Sequence, residues 1–154
     1  IPIALLHFLD KNKKIFFHKI DKNAIILPDE IRGGPITLPL VNRIPMRGNI
    51  SLGEKTDNHC LLAVVQLLNQ LAMRPEAGLY DIVVIQVNDK DRHLVLYLNA
   101  KGKLFKQSAQ IVIPMDKISE ALDKLKTICD ARLKTGQTIS YIDVTLKDNI
   151  PVIK

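Results

Sequence analysis

Residues 80–112 read YDIVVIQVNDKDRHLVLYLNAKGKLFKQSAQIV and predict the centre of a β-sheet. Apolar and β-branched residues dominate three segments, at 80–87, 93–99 and about 104–112, which is the composition typical of strands. Two short segments rich in Asn, Asp, Lys and Gly separate them, and residues of these types favour turns. Three strands joined by two turns predict an antiparallel meander.

Two amphipathic helices flank this meander. Apolar residues recur at spacings of three and four over residues 57–74, and Thr56 or Asp57 is in position to cap that helix. We expect Asp116 to cap the second helix and Gly136 to end it in the left-handed conformation. Because the apolar residues of the second helix form one stripe, we expect that helix to pack on the sheet.

Further strands are predicted on both sides of the helices. They cover residues 3–9, 14–20, 24–27, 36–41, 138–146 and 150–153. Pro151 makes the last of them a candidate edge strand, because proline cannot donate a hydrogen bond to a neighbouring strand. Hairpins dominate this order of elements. We therefore predict an α+β fold, a mostly antiparallel sheet of consecutive hairpins with two amphipathic helices packed on it.

Length and composition indicate one folded domain. The chain has 154 residues, of which 47% are hydrophobic and 25% charged, as in globular proteins. We expect a single domain over residues 1–154, with residues 1–9 alternatively forming the connection from an upstream domain. Residue 1 is Ile rather than Met, and the longest strictly apolar run covers only residues 60–65. We therefore expect a soluble fragment of a chain that continues upstream.

The charge is basic, with a formal net charge of +6. Lysines outnumber arginines and are spread along the chain, and only 5% of the residues are aromatic. Nucleic-acid-binding proteins cluster their cations on one face and often add aromatic platforms, so we do not expect a nucleic-acid partner. The net positive charge is as compatible with attraction to an anionic membrane or cell-wall surface as it is with nucleic-acid binding.

The histidines do not predict a metal site. They are His7, His18, His59 and His93, and no two of them are spaced four residues apart. Zinc sites need three or four converging ligands. His59 is adjacent to Cys60 on a predicted helix, where we expect the two side chains to point in different directions. We therefore expect neither a metal nor a cofactor.

The sequence also shows no catalytic motif. Cys60 and Cys129 lie on apolar helix faces, which indicates two buried, inert thiols that could bond to each other only if the helices are close. There is no G-x-S-x-G elbow and no glycine-rich phosphate loop. The acidic residues outside the helices fall mostly in predicted turns. We therefore expect no enzymatic activity and no small-molecule substrate.

Five short segments carry a resemblance to a known family. They are PIA at 2–4, FHKIDKNAIILP at 17–28, LPLV at 38–41, YLNAKG at 97–102 and ISYIDV at 139–144. In this order they resemble the extracytoplasmic β domain of the bacterial cell-division proteins FtsQ and DivIB. The sequence departs from the family at three positions. Ala24 stands where the family often has Gly, Arg43 where Gly usually follows the Leu-Pro segment, and Thr145 where Arg is frequent.

The resemblance implies a non-catalytic divisome scaffold that recruits the FtsB–FtsL pair during septum formation. It also implies a single-pass inner-membrane protein with this domain in the periplasm, preceded by a POTRA domain and a transmembrane helix. The partner would add a strand at the sheet edge formed by the last strands, next to the second helix. The implied partner-binding residues are Tyr141, Asp143, Thr145, Leu146, Lys147, Asp148, Asn149 and Ile150.

Three alternatives stay open at this point. Tyr141 and Asp143 could serve sheet packing and a local turn bond rather than a partner. The domain could be a general extracytoplasmic protein-binding adaptor of similar fold with a different partner. It could also be an enzyme whose site is dispersed along the sequence, since spatial neighbours are invisible in a sequence.

Overall fold

The computed structural model describes residues 1–10, 12–30, 37–46, 50–145 and 152–154. The elements are β1 (Pro2–Leu9), β2 (Ile15–Asp21), β3 (Ile26–Glu30), β4 (Leu40–Asn42), α1 (His59–Ala72), a short 3-10 helix (Pro75–Leu79), β5 (Ile82–Asn88), β6 (His93–Leu98), β7 (Phe105–Pro114), α2 (Ile118–Thr135), β8 (Ile139–Asp143) and β9 (Val152–Ile153). Among these residues, no helix combines the length and apolar character needed to cross a membrane.

The strands of the described residues form one sheet in the order β3-β2-β1-β4-β5-β6-β7-β8-β9. The prediction of an α+β fold with two helices is confirmed. The predicted meander is present, because β5 to β7 pair as antiparallel neighbours, and β1 to β3 form a second meander of the same kind. The β8–β9 pair is antiparallel as well.

The prediction of a mostly antiparallel sheet was wrong, because the sheet is mixed. β4 runs parallel to both β1 and β5, and β8 runs parallel to β7. The helices cause two of these parallel pairs. α1 connects β4 to β5 and α2 connects β7 to β8, and a helical crossover returns the chain to the same end of the sheet before the next strand begins.

The core lies between one face of the sheet and the two helices. In β6, Leu94, Leu96 and Leu98 are buried and alternate with half-buried residues, as expected for a strand with one face on the core. These leucines belong to one hydrophobic cluster with Leu67 of α1 and Leu122 of α2. Burial of each such side chain contributes about 2 kcal/mol, so this contact fixes both helices against the sheet.

The start of α1 differs from the prediction by one residue. Asn58, rather than Thr56 or Asp57, is the N-cap. Its side-chain Oδ1 accepts hydrogen bonds from the backbone N–H of Cys60 at 3.0 Å and of Leu61 at 3.3 Å. Its Nδ2 also donates to a backbone carbonyl of the preceding loop. The Asn58 side chain is therefore held by the first turn of α1 and by the preceding loop.

The C-terminal end of α2 was predicted correctly, and its N-terminal end was not. Gly136 ends the helix with a φ of 69°, as expected. Asp116 does not cap it, because Lys117 occupies the N-cap position with a left-handed φ of 58° and no side-chain cap bond. The Asp116 carboxylate instead accepts two hydrogen bonds from the guanidinium of Arg92. That contact ties the start of α2 to the turn between β5 and β6.

Candidate functional site

The last strand, β9, forms one edge of the sheet, since no described strand pairs beyond it. The N–H of Lys154 donates to the C=O of Tyr141 at 2.9 Å, and the N–H of Tyr141 donates to the C=O of Lys154 at 3.0 Å. Hydrogen-bonded and non-bonded pairs alternate along an antiparallel ladder. Ile153, which is opposite Ile142, therefore points its own N–H and C=O away from β8, toward the side where another strand could add.

The predicted residue Tyr141 lies beside this edge on the sheet face opposite the helices. Its neighbour Ile142 is fully buried and points into the core, so the alternation along β8 places Tyr141 and Asp143 on the other face. The Nζ of Lys154 lies 5.6 Å from the centre of the Tyr141 ring. Partial burial, and then the nearby carboxylate of Asp143, raise the pKa of Tyr141.

The predicted residues Asp143 and Thr145 contact each other. Oδ1 of Asp143 accepts a hydrogen bond from the backbone N–H of Thr145 at 2.9 Å and another from its hydroxyl at 2.5 Å. Such a bond closes a local turn at the end of a strand. The local turn bond that we considered as an alternative role for Asp143 is therefore present in the structure.

The other five predicted partner-binding residues lie outside the described residues. They are Leu146, Lys147, Asp148, Asn149 and Ile150. The structure thus brings three of the eight predicted residues to one place, at the end of β8 next to the β9 edge.

The opposite edge of the sheet is less suited to strand addition. It is formed by β3, whose sequence ILPDE contains Pro28. Proline lacks a backbone N–H, and prolines and charged residues are common means of blocking an edge. β9 contains only Val152 and Ile153, and Val152 is 40% exposed. Of the two edges, that of β9 therefore offers the better hydrogen-bonding pattern.

Comparison with protein-family models gives no match for this sequence, and a search of curated proteins finds no similar protein.

Three side chains that sequence reasoning kept apart converge at the start of α1. Nε2 of His59 lies 2.8 Å from Oδ1 of Asp89, and Sγ of Cys60 lies 3.4 Å from that nitrogen and 3.3 Å from that oxygen. The expectation that His59 and Cys60 point in different directions was wrong. Asp89 follows β5, 30 residues after His59, so no local motif signals this approach.

The two thiols are not bonded to each other. Cys60 and Cys129 are both buried, one on each helix. Sγ of Cys129 lies 3.7 Å from the hydroxyl oxygen of Tyr80. Burial raises the pKa of Cys129 to about 11, and burial likewise raises the pKa of Tyr80. The Cys129 thiol is therefore protonated and poorly reactive at neutral pH.

Proposed function

We propose that this chain is a non-catalytic scaffold domain of the bacterial divisome, of the FtsQ/DivIB type. In this proposal it binds FtsB- and FtsL-like division proteins by strand addition at the β9 edge during septum formation. The observation that carries the proposal is the outward direction of the N–H and C=O of Ile153. The full-length protein would be a single-pass inner-membrane protein with this domain in the periplasm.

Two backbone angles support the resemblance on which the proposal rests. Ala24 stands where the family often has Gly and Arg43 where it usually has Gly, and their φ angles are 63° and 56°. Non-glycine residues rarely adopt this left-handed conformation, which glycine adopts without a steric cost. At both positions the chain thus keeps a backbone geometry suited to glycine although the residue has changed.

The surroundings of the edge suit a protein partner. Tyr141 and Lys154 present an aromatic ring and a cation on the sheet face beside β9. Tyrosine is enriched among the residues that contribute most to protein interfaces. The net charge of +6 would also speed the approach of an acidic partner segment. An added strand would supply backbone hydrogen bonds, and these side chains would supply selectivity.

The proposal is tested by substituting Ile153→Pro and Ile153→Ala. Proline removes the outward N–H and leaves the Tyr141–Lys154 backbone bonds intact, since Ile153 does not donate to β8. Alanine keeps the N–H and is the matched control for the lost side chain. Affinity for the extracytoplasmic FtsB–FtsL segments of the same bacterium should fall at least about tenfold further with proline than with alanine.

Equal affinities of the two variants would refute strand addition at β9. Far-UV circular dichroism must show the same folded fraction in both. If neither the unaltered chain nor the variants bind FtsB–FtsL, the adaptor alternative with a different partner replaces the divisome assignment. A full-length gene without a transmembrane helix and a POTRA segment upstream of this domain would also exclude the divisome assignment.

A further inference from the structure

The cluster of His59, Cys60 and Asp89 offers three different ligand atoms around one point. The imidazole nitrogen, the thiol sulfur and the carboxylate oxygen all lie within 4.8 Å of one another. Cys60 is fully buried, whereas the side chains of His59 and Asp89 are 45% and 27% exposed. The point where they meet is therefore closed on the thiol side and open to solvent on the other.

The position of the two residues on α1 explains why they converge. His59 and Cys60 are the first two residues of the helix. Cα–Cβ bonds of a helix tilt toward its N-terminus, so the first side chains project past the helix end, where no further turn separates them. The long imidazole reaches with its distal nitrogen over the thiol. Adjacent residues can thus meet at a helix start although they diverge within a helix.

Other contacts hold the ligand atoms in place. The Asn58 cap fixes the backbone of Cys60. On the other side, Asn88 and Asp91 exchange two hydrogen bonds across the turn that carries Asp89, one through the backbone N–H of Asp91 and one through both side chains. A site whose supporting residues are ordered before the ligand arrives costs less to occupy.

The arrangement does not suit nucleophilic catalysis. A catalytic Cys–His–Asp triad uses both ring nitrogens, one toward the thiol and the other toward the carboxylate. Here the same nitrogen, Nε2 of His59, lies against both Cys60 and Asp89. One nitrogen cannot take the thiol proton and donate to the carboxylate at once.

From this geometry we infer that His59, Cys60 and Asp89 bind one borderline-soft divalent cation of the Zn²⁺ class. Sulfur, imidazole and carboxylate are the ligands that zinc takes in proteins. Usual zinc–ligand bond lengths in a tetrahedron place such atoms roughly 3.3 to 3.6 Å apart. The observed separations of 2.8, 3.4 and 3.3 Å approach these values. Shifts of a few tenths of an ångström in flexible side chains suffice.

The charge balance is favourable as well. A thiolate and a carboxylate neutralise a divalent cation, and the thiol proton is released when the cation binds. Arg92 belongs to the same turn as Asp89, and its guanidinium donates two hydrogen bonds to the Asp116 carboxylate. Its charge also interacts with Asp89 and Cys60, so a bound cation competes with Arg92 for these two groups. Three protein ligands leave a fourth position for water on the exposed side. The bound cation would fasten the start of α1 to the β5–β6 turn.

Cobalt is the probe for this site, because thiolate-bound Co²⁺ gives a charge-transfer band in the near ultraviolet. The purified chain, treated with a chelator and then titrated with Co²⁺, should show this band with one cation per chain. Zn²⁺ should abolish the band by displacement. Cys60→Ser should remove it, and Asp89→Asn should weaken Co²⁺ binding at least about tenfold.

Two matched variants serve as controls. Cys129→Ser alters the other buried thiol and Asp91→Asn the other carboxylate of the same turn, and both should keep the band. No band in the unaltered chain, or a band that survives Cys60→Ser, overturns the inference. Should Cys60→Ser fail to fold, an unchanged cobalt affinity of the folded Asp89→Asn variant would overturn the inference just as well.

Discussion

Nη1 of Arg74 lies 2.8 Å from Oδ1 of Asp123, and this ion pair joins the segment after α1 to α2. The same guanidinium lies 3.4 Å from Oε1 of Glu76 and donates to the backbone C=O of Ser119 at 3.2 Å. The two carboxylates differ in exposure, since the Asp123 side chain is 70% exposed and that of Glu76 only 7%. Arg74 thus compensates one buried and one exposed charge.

We predict that Arg74→Met destabilises the fold much more than Asp123→Asn does. The first variant leaves the Glu76 carboxylate buried without its cation, which should cost on the order of 2 kcal/mol. The second removes an exposed pair worth about 0.5 kcal/mol or less. Urea denaturation of the three proteins measures both changes. Equal losses of unfolding free energy in the two variants would show that the Arg74–Glu76 pair adds no stability beyond that of the exposed pair.

Arg43→Gly should stabilise the protein. A left-handed φ costs a non-glycine residue roughly 1 kcal/mol, and Arg43 adopts a φ of 56° with an exposed side chain. Glycine offsets part of that gain by its larger freedom in the unfolded chain. We expect a net increase of about 0.5 kcal/mol in the free energy of unfolding. Lys124→Gly, placed within α2, is the control and should instead destabilise by about 1 kcal/mol.

Asp143→Ala and Thr145→Val separate the two possible roles of Asp143. Both remove bonds of the turn after β8, but valine keeps the Thr145 N–H bond to Asp143. We expect losses of unfolding free energy of about 2 kcal/mol for alanine and about 1 kcal/mol for valine. Binding of FtsB–FtsL segments should fall in proportion if Asp143 acts through the turn. A loss of binding confined to Asp143→Ala would indicate direct contact with the partner.

The Cys129 thiol predicts a loss of stability at alkaline pH. Burial raises its pKa from an ordinary value near 9 to about 11. Below about pH 9 the thiol is protonated in both the folded and the unfolded state. Its full contribution to the free energy of unfolding is then present. Between about 9 and 11 only the unfolded chain loses the proton, so stability falls as the pH rises. Denaturation over this range should show a shallower decline in Cys129→Ala, and identical pH slopes would contradict the prediction.

Local patterns predicted most of the elements. The alternation in β6 and the apolar stripe of α2 each reflect one face of one element against the core, and that information is local. Strand direction was predicted less well. The parallel pairing of β4 with β1 depends on how distant segments return to the sheet, and no neighbouring residue encodes this.

In the candidate sites, too, features set by one element were predicted and contacts between distant segments were not. Tyr141 and Asp143 were placed on one strand and lie on one sheet face, since a strand alternates with a period of two. The convergence of His59, Cys60 and Asp89 was missed for two reasons. Adjacent side chains diverge within a helix, but His59 and Cys60 lie at the start of α1, where they diverge less. Asp89 also comes from a turn far along the sequence.

Among the described residues, the sheet is continuous only through the three residues of β4, Leu40–Asn42. On one side lies the meander of β1 to β3 and on the other that of β5 to β7, each closed by local hairpins. β4 joins both by parallel pairing, which requires contacts distant in sequence. Oδ1 of Asn42 is buried there without a hydrogen bond from the described residues. The backbone hydrogen bonds that join the two halves of the sheet are therefore confined to a short seam, whose amide hydrogens should exchange with solvent before those of β6.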